Sequence, residues 1–384
     1  MADMYNPVQL VYNYRQLSHG TARADAIRYA ISQADLNNDI PYMAFLREEL
    51  CDEASWFADE LDVVTVFPEL LALLDRYPNA GVTPFQANSS HILDVLYIYG
   101  HLLDACTSFY QIPYEDCIKF HNDYKKRWIA CGRGTREPYH FFAEFYLESG
   151  DMDNAWKFLH KLKASPVEPY DCVACAANTE IKYYLLNNEK EKADKIAKKI
   201  ENGTLRCKGE LSDSLLRMKQ HYLKYYILHG DYEKAAETAY IFEHSDSEVK
   251  VHNRWASFMC AYVHTNPGRG MRIYKKHWRE WEEESDQYEK FYAFKDAACF
   301  FKGLKSEKDT GTIKLDVNDR FPLYNEDGIY SIDSLCSYYY KWAGDIANKF
   351  DKRNRTSKFI NELEISFANA GKYQVAARQK IKSI

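Results

Sequence analysis

No run of 18 apolar residues occurs anywhere in the 384-residue chain. The best candidate, 63–74, is interrupted by Thr65, Pro68 and Glu69, so no membrane-spanning helix is expected. The opening stretch, MADMYNPVQL, has neither the basic flank nor the apolar segment of a secretion signal. Without secretion, the three Asn-x-Ser/Thr sequons at Asn88, Asn202 and Asn354 carry no meaning. The ten cysteines are scattered, and six of them (Cys51, Cys106, Cys117, Cys260, Cys299 and Cys336) sit within helical patterns, as small buried hydrophobes do in a reducing compartment. A soluble, cytoplasmic protein is expected. There is no excess of basic residues either. The formal net charge is −6, so no global positive field draws in DNA or RNA. Nucleotide and hydrolase signatures are missing: no GxxxxGK, no HExxH, no GxSxG, and no GxGxxG followed by an acidic residue. No enzymatic chemistry is therefore expected. Glycine and proline are scarce, at 16 and 11, which suits helices joined by short turns.

What the chain has instead is tyrosine, 31 of them, and a hairpin pattern that repeats. Residues 216–243 read as a helix, a Gly230-Asp231 turn and a second helix. Counted from the turn residues Gly150, Asn188, Gly230 and Asn266, the position four before is Tyr146, Tyr184, Tyr226 and Tyr262. Eight before stand Phe142, Glu180, Tyr222 and Phe258; eleven before, Tyr139 and Trp255 fill an aromatic slot that Ala177 and Lys219 miss. Five after stand Ala155, Ala193, Ala235 and Met271. The turns are spaced by 38, 42 and 36 residues. One such hairpin cannot bury its apolar stripe alone, whereas a stack of them makes a continuous core. The four tyrosines are expected to pack between helices.

The tyrosine before the turn and the small residue after it resemble the tetratricopeptide (TPR) hairpin. The resemblance covers 137–281 well, and 21–136 and 287–384 only as helical hairpins. It implies an all-α, right-handed superhelical solenoid that binds proteins or peptides. Three regions are expected: an N-terminal helical bundle with a divergent hairpin at 1–136, the array at 137–284, and a C-terminal helical cap at 285–384. Within the bundle, helices are read at 21–37, 40–57, 63–77, 92–110 and 114–131, with a loop at 78–90. Within the cap they are read at 287–304, 331–350 and 356–370, before a basic tail at 373–384. Residues 306–328 are the least helical part, and 312–317 alternates like a short strand.

Two places carry candidate chemistry. Cys172 and Cys175 stand three apart at the entrance of the second unit, and Cys207 lies one layer on, in the loop entering the third. That spacing matches part of a structural zinc site, with Asp171, Asp213 or His221 as fourth ligand; incidental thiols and a redox-labile Cys172–Cys175 pair are the alternatives. The stretch also resembles a group of bacterial TPR proteins that place Pro-His after the third cysteine, where this chain has Leu211-Ser212. The second place is the concave face. In a TPR hairpin, residues about thirteen, ten and six before the turn point into the groove. Here those are Glu137, His140 and Glu144, then Cys175, Asn178 and Lys182, then Arg217, Gln220 and Lys224, then Asn253, Ala256 and Cys260. Asn178, Lys182, Arg217, Gln220, Lys224 and Asn253 therefore form a candidate peptide groove. Amides bond an extended backbone, and Lys or Arg holds acidic side chains or a terminal carboxylate. The resemblance implies a scaffold for an acidic or C-terminal peptide, with no nucleic-acid or membrane partner. A peptide-sensing regulator similar to the bacterial Rap proteins is the alternative.

Overall fold

The computed structural model describes residues 5–78, 83, 91–169, 171–207, 213–244, 254–305 and 311–372; the side chains of 91–94, 213 and 254 are outside that description. Asn253, most of the 78–90 loop, Asn88 and the basic tail consequently lie outside the described residues. The described chain is all-α apart from one small ribbon, and it divides into two compact units, Met1–Pro138 and Tyr139–Ile384.

The first unit holds α1 (Pro7–Arg15), α2 (Thr21–Leu36), α3 (Ile40–Phe57), α4 (Leu61–Arg76), α5 (His91–Ser108) and α6 (Tyr114–Ala130). α1 was not legible in the amphipathic pattern; Asn6 caps it by accepting the Gln9 N–H, and Pro7 stands in its first turn. Val11 and Tyr14 of α1 pack with Ala24, Ile27, Phe45 and Leu50 of α2 and α3. A buried arginine, Arg47, closes this core. It donates to both oxygens of Asp35 at 2.9 Å and to Glu69 at 3.1 Å, so its charge is paired where water is scarce.

The second unit is a series of hairpins. It comprises α7 (Arg136–Ser149), α8 (Met152–Ala164), α9 (Val173–Leu186), α10 (Lys190–Glu201), α11 (Asp213–His229), α12 (Tyr232–Glu243), α13 (Arg254–Ala261) and α14 (Pro267–Glu283). α9, α11 and α13 each pack against the helix that follows, and α9 touches α11, which touches α13. The turns show why the sequence breaks where it does. Gly150, Asn188 and Gly230 take the left-handed conformation, with φ of 86°, 60° and 72°, a region glycine and asparagine enter most cheaply. The next residue then sends its N–H back to the carbonyl of Tyr146, Tyr184 or Tyr226 at 2.8–2.9 Å. Asp151 and Asp231 also cap the following helix through their side chains. Ala155, Ala193 and Ala235 are fully buried, which lets paired helices close up.

The fourth turn is built differently. Asn266 is an extended N-cap (φ −148°) whose Oδ1 accepts the Arg269 N–H at 3.1 Å, and α13 stops at Ala261. Counted from the N-cap, the small residue four on is Ala155, Ala193 and Ala235 in the other hairpins and Gly270 here, not Met271. Where the sequence count placed Met271, the register is one residue shorter. A Cβ on Gly270 would lie 2.5 Å from Phe300 and 3.0 Å from the Met259 carbonyl.

The remaining elements fold back onto these hairpins. α15 (Gln287–Lys305) packs against α13 and against α16 (Ile332–Asn354); α17 (Lys358–Ala370) packs against α11, α15 and α16. Between α15 and α16, β1 (Thr312–Lys314) pairs antiparallel with β2 (Ile329–Ser331), Ile313 opposite Tyr330. The strand expected at 312–317 is thus shorter, because its partner offers only three residues. α15 is buried along almost its whole length, including Lys295 and Asp296. Polar bonds tie α17 and the residues just before it to α7 and α11: Thr356 Oγ1 donates to the Ser149 carbonyl at 2.9 Å, Lys358 Nζ to the Glu148 carbonyl at 2.8 Å, and Asn369 Nδ2 to the Leu228 carbonyl at 2.8 Å.

Gly270→Ala is expected to destabilise the protein by about 1–3 kcal/mol, as overpacking of a close contact does. Gly268→Ala, two residues away in the first turn of α14, meets nothing closer than 3.8 Å and is expected to be neutral or slightly stabilising. Urea unfolding of the two variants side by side measures both; equal stabilities would remove the close contact as the reason for glycine.

Candidate functional site

The cysteine constellation is built by a helix start and a neighbouring loop. Cys172 is the N-cap of α9, and its Sγ accepts the Cys175 N–H at 3.4 Å. Cys207, in the loop ahead of α11, brings its Sγ to 3.6 Å from that of Cys172, and the three sulfurs lie within 4.8 Å of one another. Ligands held tetrahedrally at a Zn–S distance of about 2.3 Å sit roughly 3.8 Å apart, so three thiolates at these separations can hold a metal ion. The N-terminal end of α9 adds a favourable field for thiolate. Burial, with Cys172 and Cys207 alongside, pushes the Cys175 thiol up, while Arg217 acts the other way. Of the fourth-ligand candidates, Asp171 accepts the Glu168 N–H at 2.7 Å, His221 lines a different cavity, and the side chain of Asp213 is outside the described residues. Among the described residues no fourth ligand joins the three sulfurs.

The second feature is a cavity of about 190 Å³, open to solvent on one side and lined by α7, α9, α11, α15 and α17. Of the groove residues read from sequence, Lys182, Gln220 and Lys224 line it; Asn178 and Arg217 do not. Asn178 is buried, and its Nδ2 donates to the Ser214 carbonyl at 2.8 Å, tying α9 to α11. Arg217 is exposed and lies near enough to Glu144 to help hold its charge. Asn253 is outside the described residues.

The lining carries the carboxylates Glu148, Glu289 and Glu362 and the ammonium groups Lys182, Lys224 and Lys358, and all but one of these ammonium groups lie against a carboxylate. Glu148, near the end of α7, is bound by the Lys182 ammonium and the Tyr288 hydroxyl, and by Lys358 Nζ at 3.1 Å. Lys358 also donates to the Glu148 carbonyl at 2.8 Å. Glu362 accepts from Lys295 Nζ at 2.7 Å and from the Tyr292 hydroxyl at 3.1 Å. Asp296, beside Lys295, accepts from Ser257 Oγ at 2.6 Å. Lys224 is the exception. Its ammonium stands 3.8 Å from the centre of the Tyr292 ring and 5.6 Å from that of Tyr288; among the described residues no carboxylate lies within ion-pair distance, and Lys224 acts on Glu362 and Asp296 only at longer range. One turn earlier on the same helix, Gln220 and His221 line the cavity, again with no hydrogen-bond partner among the described residues.

The electrostatics follow from this crowding. Burial, with Lys358 and Lys224 as like charges, holds the Lys182 ammonium well below its ordinary range. Burial, and the neighbouring Lys224 and Lys295, bring Lys358 down to about 8, with Glu362 opposing. Burial, reinforced by Lys182 and Lys224, pushes His221 far below its usual value, so its ring is neutral. For Glu362 burial works upward but loses to Lys295 and Lys358, and its carboxyl falls to about 2. Glu144 is likewise held low: burial works upward, but His140, Lys182 and Arg217 prevail.

Sequence reasoning missed Glu148, Tyr288, Tyr292, Lys295, Lys358 and Glu362. A signal for one of them was available: Lys295-Asp296 interrupts a helix otherwise dense in Phe, Tyr and Ala, and a charge pair in such a place is seldom solvated. No family model and no curated protein matches this chain.

The folded-state value of Glu362 generates a pH prediction. Its pKa lies below the ordinary 4.5, so the unfolded chain takes up this proton first as the pH falls. The associated stability is complete above about pH 4.5 and is lost toward pH 2, amounting to about 3 kcal/mol. Glu362→Gln should destabilise the protein near neutral pH by about 3 kcal/mol, because the buried Lys295 loses its closest carboxylate, at 2.7 Å, and keeps only Asp296, at 3.6 Å. The gap between variant and parent should then narrow as the pH falls. Denaturant unfolding near pH 7, 5, 4 and 3 tests this, and a gap constant with pH contradicts it.

Proposed function

We propose that residues 137–284 form a TPR-like right-handed array whose concave face holds a protein or peptide ligand through acidic groups or a terminal carboxylate. The observation that carries this reading is the convergence of Lys182, Gln220 and Lys224, from neighbouring first helices, on one cavity. Repeating Tyr146, Tyr184 and Tyr226 turns and the buried alanines after them support the TPR comparison. Arg217 extends the basic surface outward from the cavity.

A second reading, the peptide-sensing regulator, draws on one further observation. α15 and α17 close over the same cavity and are held by Glu148 and Glu362 contacts. A ligand entering there would act on the packing of those helices, which is how occupancy becomes a change of state.

We also propose that Cys172, Cys175 and Cys207 hold a structural zinc ion, joining the start of α9 to the loop before α11. When bound it supplies a cross-link between two hairpins, and no chemistry is assigned to it.

Binding of fluorescent acidic peptides, with free or amidated C-termini, tests the groove. Lys224→Ala and Arg217→Ala should each weaken binding about ten- to hundredfold, the loss of one charge-assisted contact, with the melting temperature little changed. Binding should also weaken as salt rises. Peptides that bind both variants as well as the parent would exclude the concave face. For the metal, cobalt substitution under reducing conditions should give intense thiolate-to-cobalt absorption that Cys207→Ser abolishes. A reduced protein that takes up neither cobalt nor zinc would refute the site.

A further inference from the structure

The cavity opens to solvent on one side, and its interior takes one compact group rather than a stretch of extended peptide. On a scale where a cavity of about 150 Å³ admits one benzene ring, its 190 Å³ admits one ring or branched chain with a short polar head. Leu185, Leu228 and Tyr225 supply apolar lining, and Gln220, His221 and Lys224 of α11 add polar groups to those of Glu148, Lys182, Lys358 and Glu362.

The sign of the polar head follows from which charges are already satisfied. Glu148 is bound by Lys182, Lys358 and Tyr288, and Glu362 by Lys295 and Tyr292, so neither needs a ligand cation. Glu289 also lines the cavity, from the start of α15. Lys224 has aromatic faces but, among the described residues, no carboxylate at ion-pair distance. A cation in a partly buried place gains most from an anion brought to it, since the desolvation cost is already met. Gln220 offers amide N–H donors one turn away, at the spacing that puts side chains on one helix face. The neutral His221 ring offers one further N–H without adding charge.

We infer that this cavity is a site for a compact monocarboxylate with an apolar body, its carboxylate on Lys224 and Gln220 and its body against Leu185, Leu228 and Tyr225. The inference rests on the proposal that the concave face is the binding surface, and it narrows the occupant to one carboxylate-bearing group. That group has two possible sources, a free small acid or the last residue of a peptide chain.

Calorimetry on the full chain separates them. The probes are 3-phenylpropionate, 3-phenylpropanamide, and an eight-residue peptide ending in Phe with either a free or an amidated C-terminus. The expected result is that 3-phenylpropionate binds and its amide binds at least tenfold more weakly. Lys224→Gln should lose the same factor, and Gln220→Glu, which sets an anion beside the site while keeping Lys224, should also weaken binding; circular dichroism confirms that both variants fold. A free-carboxyl peptide that outbinds 3-phenylpropionate assigns the site to a chain terminus. Binding of the acid but of neither peptide supports the cavity and overturns the peptide reading. Peptides that bind regardless of amidation and of Lys224→Gln support a peptide groove and overturn the cavity. Absence of any binding overturns both.

Discussion

The cavity of the second unit depends on one partly buried carboxylate, Glu148. It stands two residues before the left-handed Gly150 and receives Lys182 from α9, Tyr288 from α15 and Lys358 from α17. A carboxylate away from water is tolerated only with several donors, and removing one partner of a buried pair typically costs about 3–5 kcal/mol. Four helices are thereby referred to a single group. Glu362 does the same on the other side, through Lys295 and Tyr292. The two carboxylates set where α15 and α17 lie, and so fix the size and polarity of the space left beneath them. Lys224 faces that space over the Tyr292 ring, with no carboxylate at ion-pair distance among the described residues.

α9 connects the two candidate sites. It begins at the Cys172 cap and carries Cys175 in its first turn, then Asn178 and Thr179 at its middle and Lys182 toward its end. Cys175 and Lys182 are seven residues apart, two turns or about 10 Å along one face. Between them, Asn178 donates to the Ser214 carbonyl and Thr179 to Glu144 at 3.1 Å, so α9 is tied to both neighbouring first helices along its length. A metal on the three thiols would fix the entrance of α9 against the loop before α11. The same helix pair then frames the cavity. Arg217 stands between the two regions, acting on both Cys175 and Glu144.

The hairpins were legible because their signals are local. A left-handed residue needs Gly or Asn, the next residue caps with a carboxylate at Asp151 and Asp231, and a small residue four on from that N-cap admits the partner helix; each can be read within ten residues. The same locality explains the miss at Asn266, where an extended N-cap replaces the left-handed turn and Gly270 takes the small position. α1 was missed because a nine-residue helix shows too little periodicity, although Asn6-Pro7 gives its start. The thiols were legible as a group since repeat spacing stacks Cys207 over Cys172. The cavity was legible only from one side. Offsets within the first helices identified Lys182, Gln220 and Lys224, but no offset reports that α15 and α17 return across 140 to 210 residues to meet α7. Asn178 and Arg217 have the same helical offset logic as their neighbours. What separates them from the cavity is the packing of α9 on α11, and that is a property of the fold.

Lys224 is the one lining ammonium with no carboxylate at ion-pair distance among the described residues, and the proposal gives it a ligand's carboxylate. A crystal structure of the protein soaked with 3-phenylpropionate tests it most directly. The account predicts carboxylate density within about 2.7–2.9 Å of the Lys224 ammonium, the ring beside Leu228, and the Glu148 and Glu362 contacts intact. Lys224 paired with a carboxylate of the protein itself, and the probe lying elsewhere, would contradict it.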